Sequence, residues 1–188
     1  DIAIYRCVRQ EQAKTFYYGY AHALHCAMLC ILLSRYLTWP KERTSKLVKA
    51  ALTMNMSIMD LQGQMAGQDF PMRDKQRLLI SEHPVRAHEL LLAGGMADQD
   101  WLTAVMQHHE RPDGKGYPLG VTEISEMATI LRLADVFMAK ISPRALRPAL
   151  SAQEAARQLF REDNGGTLST ALIKQFGIYP PGDLVKLV

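Results

Sequence analysis

From residue 9 to residue 176 the apolar side chains recur three and four positions apart, and no stretch alternates apolar with polar as a half-buried strand does. That period commits the chain to helices. Breakers then fix where they stop: Trp39-Pro40, Gly94-Gly95 and Ser142-Pro143 each close an apolar run. No internal repeat, low-complexity tract or heptad run intervenes, so residues 1–188 read as a single all-α domain, expected to be a piece of a longer polypeptide.

The first helix is expected over 9–37, with His22 and His25 three apart near its middle and able to share a face. A second follows Pro40 and carries an unusually apolar stretch, Leu47 to Leu61. Within it Asn55 needs a buried hydrogen-bond partner, and Met54, Met56 and Met59, with Met65 beyond, form a soft wall. Helix resumes over Arg73 to Glu82. His83 is expected at a break, with Pro84 in the first turn of a separate helix, Pro84 to Ala93. Asp98 is a natural N-cap for Gln99 to His109. The long helix Ser125 to Ile141 is interrupted by a lone acid, Asp135, which is costly there unless paired, protonated or metal-bound. Ser151 and Glu154 fit a capping box opening Gln153 to Arg161, and Thr167 to Phe176 precedes an extended tail through Tyr179-Pro180-Pro181-Gly182.

The charge and cysteine content narrow the function classes. A net charge of +3 over 188 residues is too small to argue for a nucleic-acid polymer. The three cysteines, Cys7, Cys26 and Cys30, have no metal-type spacing and read as reduced core residues, fitting a cytoplasmic protein. No apolar run is long enough to insert into a membrane.

Chemistry concentrates in His108 to Gly120, where two adjacent imidazoles leave a helix and enter a loop of two prolines and three glycines. Asp113-Gly114 and Lys115-Gly116 permit positive φ, so backbone N–H groups can gather near an anion. His22, His83, His108, His109 and Asp135 sit at helix ends or apolar faces and together would suit Fe, Mn, Zn or Ni. His25 and His88 read as surface or core residues.

These residues resemble a known family. His108-His109-Glu110-Arg111 followed by Asp113-Gly114-Lys115-Gly116-Tyr117-Pro118 is similar to the HHE…DGxGYP signature of HD-GYP domains, bacterial all-α phosphodiesterases that hydrolyse cyclic di-GMP. Ala134-Asp135-Val136-Phe137 resembles that family's late metal-binding aspartate segment, His83-Pro84 its middle histidine, His22 its first-helix histidine, and Tyr179 to Val185 its tail. The resemblance implies an HD-superfamily helical bundle of about seven to eight helices, with His22, His83, His108, His109 and Asp135 as metal ligands. It further implies a substrate or partner surface made of Arg111, Asp113, Gly114, Lys115, Gly116, Tyr117, Pro118, Arg144 and Arg147.

One segment departs from the family. Its Ala-Leu-Leu-His-Asp-Ile-Gly-Lys-type stretch, counted back without gaps from His83, falls on Ala51 to Ile58. The histidine becomes Met54, the metal-bridging aspartate Asn55 and the lysine Ile58. Tyr18 stands where some members carry a glutamate for a third metal. An amide bridges two cations poorly, and Ile58 removes a cation that would stabilise a charged transition state, a contact of about 3 kcal/mol or more. The expected centre therefore holds one divalent metal or none, and whether the domain is an enzyme stays open. The leading expectation is an impaired or inactive phosphodiesterase that binds cyclic di-GMP, a related phosphorylated nucleotide, or diguanylate cyclase domains through the GYP loop. A residual metal phosphohydrolase and a structural or dimerising module are the alternatives.

Overall fold

The computed structural model describes residues 17–163 and 165–176, which fold into helices with no strand among them. In chain order they are α1 (Tyr18–Tyr36), α2 (Lys41–Thr53), α3 (Met59–Gly67), α4 (Asp74–Ala93), α5 (Gln99–Gln107), α6 (Glu126–Ile141), α7 (Ala152–Glu162) and α8 (Thr167–Phe176). The N-terminal part of the expected first helix, Cys7 and the Tyr179 to Val185 tail lie outside the described residues.

Helix α1 is the central element and packs on α2, α3, α6 and α8. A helix with neighbours on several sides must be apolar around most of its circumference. Accordingly Cys26, Leu29, Cys30 and Leu33 of α1 are fully buried, against Ile130, Leu131, Ala134, Phe137 and Met138 of α6 in one core. The two caps expected from sequence, at Asp98 and Ser151, form, and Ser125 caps α6 as well. Asp98 accepts from the Trp101 amide, Ser125 from Ala128 and Ser151 from Glu154.

Two expected elements differ. Leu47 to Leu61 is not one helix: α2 ends at Thr53, residues 54–58 form a turn, and α3 begins at Met59. The Thr53 hydroxyl bonds back to the Lys49 carbonyl at 2.8 Å, and the Met56 and Ile58 amides close tight bonds to Thr53 and Asn55. Ser57 leaves helical geometry to donate to the His83 carbonyl of α4 at 3.1 Å. The methionine wall is correspondingly uneven, with Met54 wholly buried and Met56 39% exposed.

The second difference is Pro84, which lies inside α4 rather than at the start of a new helix. A proline within a helix leaves the carbonyl four residues back without its donor. That carbonyl is Ile80's, and the His83 ring donates to it from Nδ1 at 2.6 Å. The helix continues because the side chain beside the proline supplies the missing bond.

Candidate metal centre

Three helices and one turn bring the sequence-predicted ligands together. His22 comes from α1, His83 from α4, His108 and His109 from the turn that follows α5, and Asp135 from α6. His22, His83 and His108 are nearly inaccessible, and Asp135 is 8% exposed.

The histidine tautomers follow from the main chain. A carbonyl only accepts, so the Nδ1 of His83 carries hydrogen where it meets the Ile80 oxygen. His108 Nδ1 likewise donates to the Val105 carbonyl at 2.6 Å, in the last turn of α5 where carbonyls run out of helical partners. Both rings therefore present bare Nε2 lone pairs, and these face each other at 3.0 Å. Two lone pairs at that distance repel unless a cation lies between or beside them. Burial pushes the pKa of both rings down, and neighbouring histidines push His108 down further, so protonation is an unfavourable way out. His109 is lowered to about 4, mainly by burial. The ligand atoms of His83, His108 and His109 all lie within 4.8 Å of one another. Neutral imidazoles held by carbonyls through the far nitrogen are the donor set and outer support that a transition metal takes, so these residues fit a metal ion.

Asp135 stands beside this triad and is organised differently. Burial alone would raise its pKa, but a hydrogen bond from His22 and the surrounding imidazoles hold the carboxyl well below the usual range. It is thus an acceptor only. His22 Nε2 donates to Oδ1 at 2.8 Å and the Asn55 amide donates to the same oxygen at 3.3 Å, while His109 Nε2 lies 4.0 Å from Oδ2. The buried amide and the buried acid, each needing a partner on sequence grounds, are partners of each other. Met54 enters the apolar core and Ile58 is 7% exposed, so neither offers a donor to the centre.

The glycine loop is built onto the triad. Glu110, fully buried, accepts from the Leu119 amide at 2.6 Å and the Gly120 amide at 3.2 Å, drawing the far end of the loop back to its start. Gly114 adopts φ +69°, as its sequence suggests. Gly116 has another reason for being glycine: a Cβ there would stand 2.4 Å from the Arg111 nitrogen and 2.5 Å from the Glu110 Cα. Tyr117 consequently stacks on His109, centroids 4.6 Å apart and planes 20° from parallel, ahead of a cis bond to Pro118. Arg111 grips Asp113 through two hydrogen bonds of 3.1 and 2.8 Å, and the Lys115 amide donates to Asp113 at 3.1 Å while its side chain is exposed. Arg144 turns inward, donating to the Tyr18 hydroxyl at 2.8 Å, and Tyr18 stacks on His22. Arg147 donates to the Ala139 carbonyl.

Two residues outside the predicted set belong to this neighbourhood. Glu110 belongs to the His-His-Glu motif, but its part as the loop's anchor shows only in the fold, where it is buried and accepts from two loop amides. Cys26, read as core, lies 3.5 Å from His22 Nε2 and forms a second ligand group with His22 and Asp135. Its spacing of one helical turn from His22 is visible in the sequence, and the resemblance already sets His22 with Asp135, but nothing local marks Cys26 as the third member of that group.

A family model for the HD domain matches residues 8–165. A cyclic di-GMP phosphodiesterase of Pseudomonas aeruginosa is 30% identical over 175 residues, covering 90% of this chain and 42% of the relative. A 3'3'-cGAMP-specific phosphodiesterase of Vibrio cholerae is 25% identical over 157 residues, covering 81% and 36%. The chain spans less than half the length of the curated relatives it matches. Among solved structures, a HDG"Y"P protein from Bdellovibrio bacteriovorus superposes with a TM-score of 0.66 at 19% identity, covering 82% of this chain and 51% of that one. The all-α bundle, the His-His-Glu…Gly-Tyr-Pro loop over a histidine-aspartate cluster, and these matches together show that the chain belongs to the HD domain family, as a domain of the HD-GYP type.

Proposed function

We propose that this chain is a cytoplasmic HD-GYP module of a longer signalling protein, impaired or inactive as a phosphodiesterase, that acts by binding cyclic di-GMP or a protein partner. The observation that carries the reading is the state of residues 54 and 55. Where the family resemblance places a histidine and a bridging aspartate, Met54 is core and Asn55 spends its amide on Asp135. A metal pair sharing one carboxylate from that turn has no such carboxylate here. What persists is the imidazole triad, suited to one divalent ion, and the Glu110-anchored loop that covers it. The loop residues 111–118, with Arg144 and Arg147, form the proposed ligand or partner surface.

The facing lone pairs of His83 and His108 support a second reading, a residual mononuclear phosphohydrolase, because a metal held there would make a bound water more acidic. One experiment separates the two. Cyclic di-GMP is titrated calorimetrically into the domain, metal is quantified on the same sample, and the nucleotide is recovered and chromatographed. Binding without turnover is expected. Rapid metal-dependent hydrolysis would overturn the proposal in favour of the enzyme, and neither binding nor hydrolysis would redirect the search to proteins that dock on the GYP loop.

A further inference from the structure

We propose that Cys26 completes a metal position with His22 and Asp135, two residues that the family resemblance already counts as ligands, and turns it into a nitrogen–sulfur–oxygen site for a thiophilic divalent cation such as zinc, beside the imidazole triad. One turn of α1 separates His22 from Cys26, so both side chains leave the helix on the same side and meet Asp135 of α6. The sulfur lies 3.5 Å from His22 Nε2, that nitrogen lies 2.8 Å from Asp135 Oδ1, and all three ligand atoms fall within 4.8 Å of one another. Zinc bonds of about 2.0–2.3 Å at tetrahedral angles put neighbouring ligand atoms roughly 3.3–3.7 Å apart. The sulfur–nitrogen pair already has that spacing. The nitrogen–oxygen pair sits at hydrogen-bond distance and needs to open by roughly half an ångström.

The surroundings favour the same ligand. Cys26 and His22 are 0% and 2% exposed, so little water competes for the cation. His22 Nδ1 is buried without a hydrogen bond, so unlike His83 and His108 the ring has no carbonyl behind it, and the proton that Nδ1 receives on binding is a cost that the metal bonds must outweigh. A thiolate, a carboxylate and a dication sum to zero, the charge a buried site tolerates. On binding, the thiol proton leaves to solvent and the His22 proton moves from Nε2 to Nδ1, freeing the Nε2 lone pair for the metal. A thiolate in the set also selects softer ions than a purely nitrogen and oxygen set does.

Asp135 links this position to its neighbour. Its Oδ1 faces His22, while Oδ2 lies 4.0 Å from His109 Nε2. The one carboxylate can span both positions, a role that Asn55 is unable to fill. The linkage rests on the reading of His83, His108 and His109 as a metal site, whereas the Cys26 position stands without it.

The test is a cobalt(II) titration of the metal-stripped full chain, followed by visible absorption and by the near-ultraviolet sulfur-to-cobalt charge-transfer band. Wild type is expected to take up two equivalents, one of them raising the band. Cys26→Ser should lose the band and one equivalent, Cys30→Ser should keep both, and His108→Ala should keep the band while losing the other equivalent. Visible absorption without a charge-transfer band, or a band that survives Cys26→Ser, overturns the proposal while leaving the imidazole triad standing. A band with no equivalent sensitive to His108→Ala supports Cys26 and removes the triad reading. Should Cys26→Ser fail to fold, zinc-edge absorption fine structure of the wild type decides alone: a sulfur in the inner shell is expected, and a shell of only nitrogen and oxygen refutes the site.

Discussion

Asn55→Asp is the sharpest perturbation of this centre, because it restores the acid that the family resemblance expects and sets it against an acid already there. In the wild type the Asn55 amide donates to Asp135 Oδ1 at 3.3 Å. Two carboxylates at that separation repel by about 5 kcal/mol at an effective dielectric of 20. The new acid has a cheaper course: it can stay protonated and donate its O–H to Asp135, which keeps the hydrogen bond. Holding a carboxyl of ordinary pKa about 3.9 protonated costs about 1.4 kcal/mol per pH unit above that value. The expected destabilisation is therefore about 4 kcal/mol at pH 7 and about 1.5 kcal/mol at pH 5. The sign follows from proton counting: the folded variant holds a proton that its unfolded chain has released, so its stability falls as pH rises. Urea unfolding of metal-stripped wild type and variant at the two pH values measures this directly. Adding manganese should offset the cost at pH 7, since an ion at a thousand times its Kd contributes about 4 kcal/mol. A variant as stable as wild type in chelator at pH 7, or a difference that ignores pH, would refute the pairing of residue 55 with Asp135.

Three further outcomes are expected. Pro84→Ala offers the Ile80 carbonyl a helical N–H in competition with the His83 ring that already satisfies it, so little of the ordinary penalty of an interior proline is recovered. Affinity at the imidazole triad should drop roughly 10- to 100-fold, because the Ile80 carbonyl no longer orients the His83 ring alone; calorimetry of metal binding reads it, and unchanged affinity argues against the tautomer mechanism. In metal-stripped protein, burial lowers His109 to about 4. The unfolded ring, at about 6.5, takes its proton first as pH falls, so roughly 3 kcal/mol of stability should drain away between about pH 6.5 and pH 4; urea midpoints that stay level across that window would contradict it. Gly116→Ala drives a Cβ into the Glu110 and Arg111 backbone. Amide exchange at Leu119 and Gly120, whose N–H groups bond to Glu110, should accelerate at least tenfold, and wild-type protection there would show that the loop accommodates the methyl.

How much of this was legible in the sequence depends on the range of the interaction concerned. Helix α8 and the caps at Asp98 and Ser151 rest on neighbours a few residues apart, and they form where the local pattern puts them. Pro84 misleads a local reading because propensity places proline at a helix start, whereas here the His83 ring takes over the bond that proline removes. The same bond fixes which nitrogen His83 offers, so the apparent helix defect belongs to the chemistry of the site. The turn at residues 54–58 hides inside an apolar run because the partners that hold it, the His83 carbonyl for Ser57 and Asp135 for Asn55, lie 26 and 80 positions away. The five predicted ligands could be named from a motif, but their division could not. Asp135 shares hydrogen bonds with His22 and Asn55 on one side, and the imidazoles offer bare lone pairs on the other. That division follows from a rule of buried polar groups: each must be satisfied by a partner or by a cation. An aspartate at position 55 would add negative charge that calls for metal, whereas asparagine adds a donor that quiets the charge already present. The substitution thus leaves Asp135 as the one carboxylate on its side, so that a cation there needs the Cys26 thiolate to balance its charge, and it leaves the facing lone pairs of His83 and His108 as they were, which is why a domain altered at residues 54 and 55 can keep an imidazole triad under its loop.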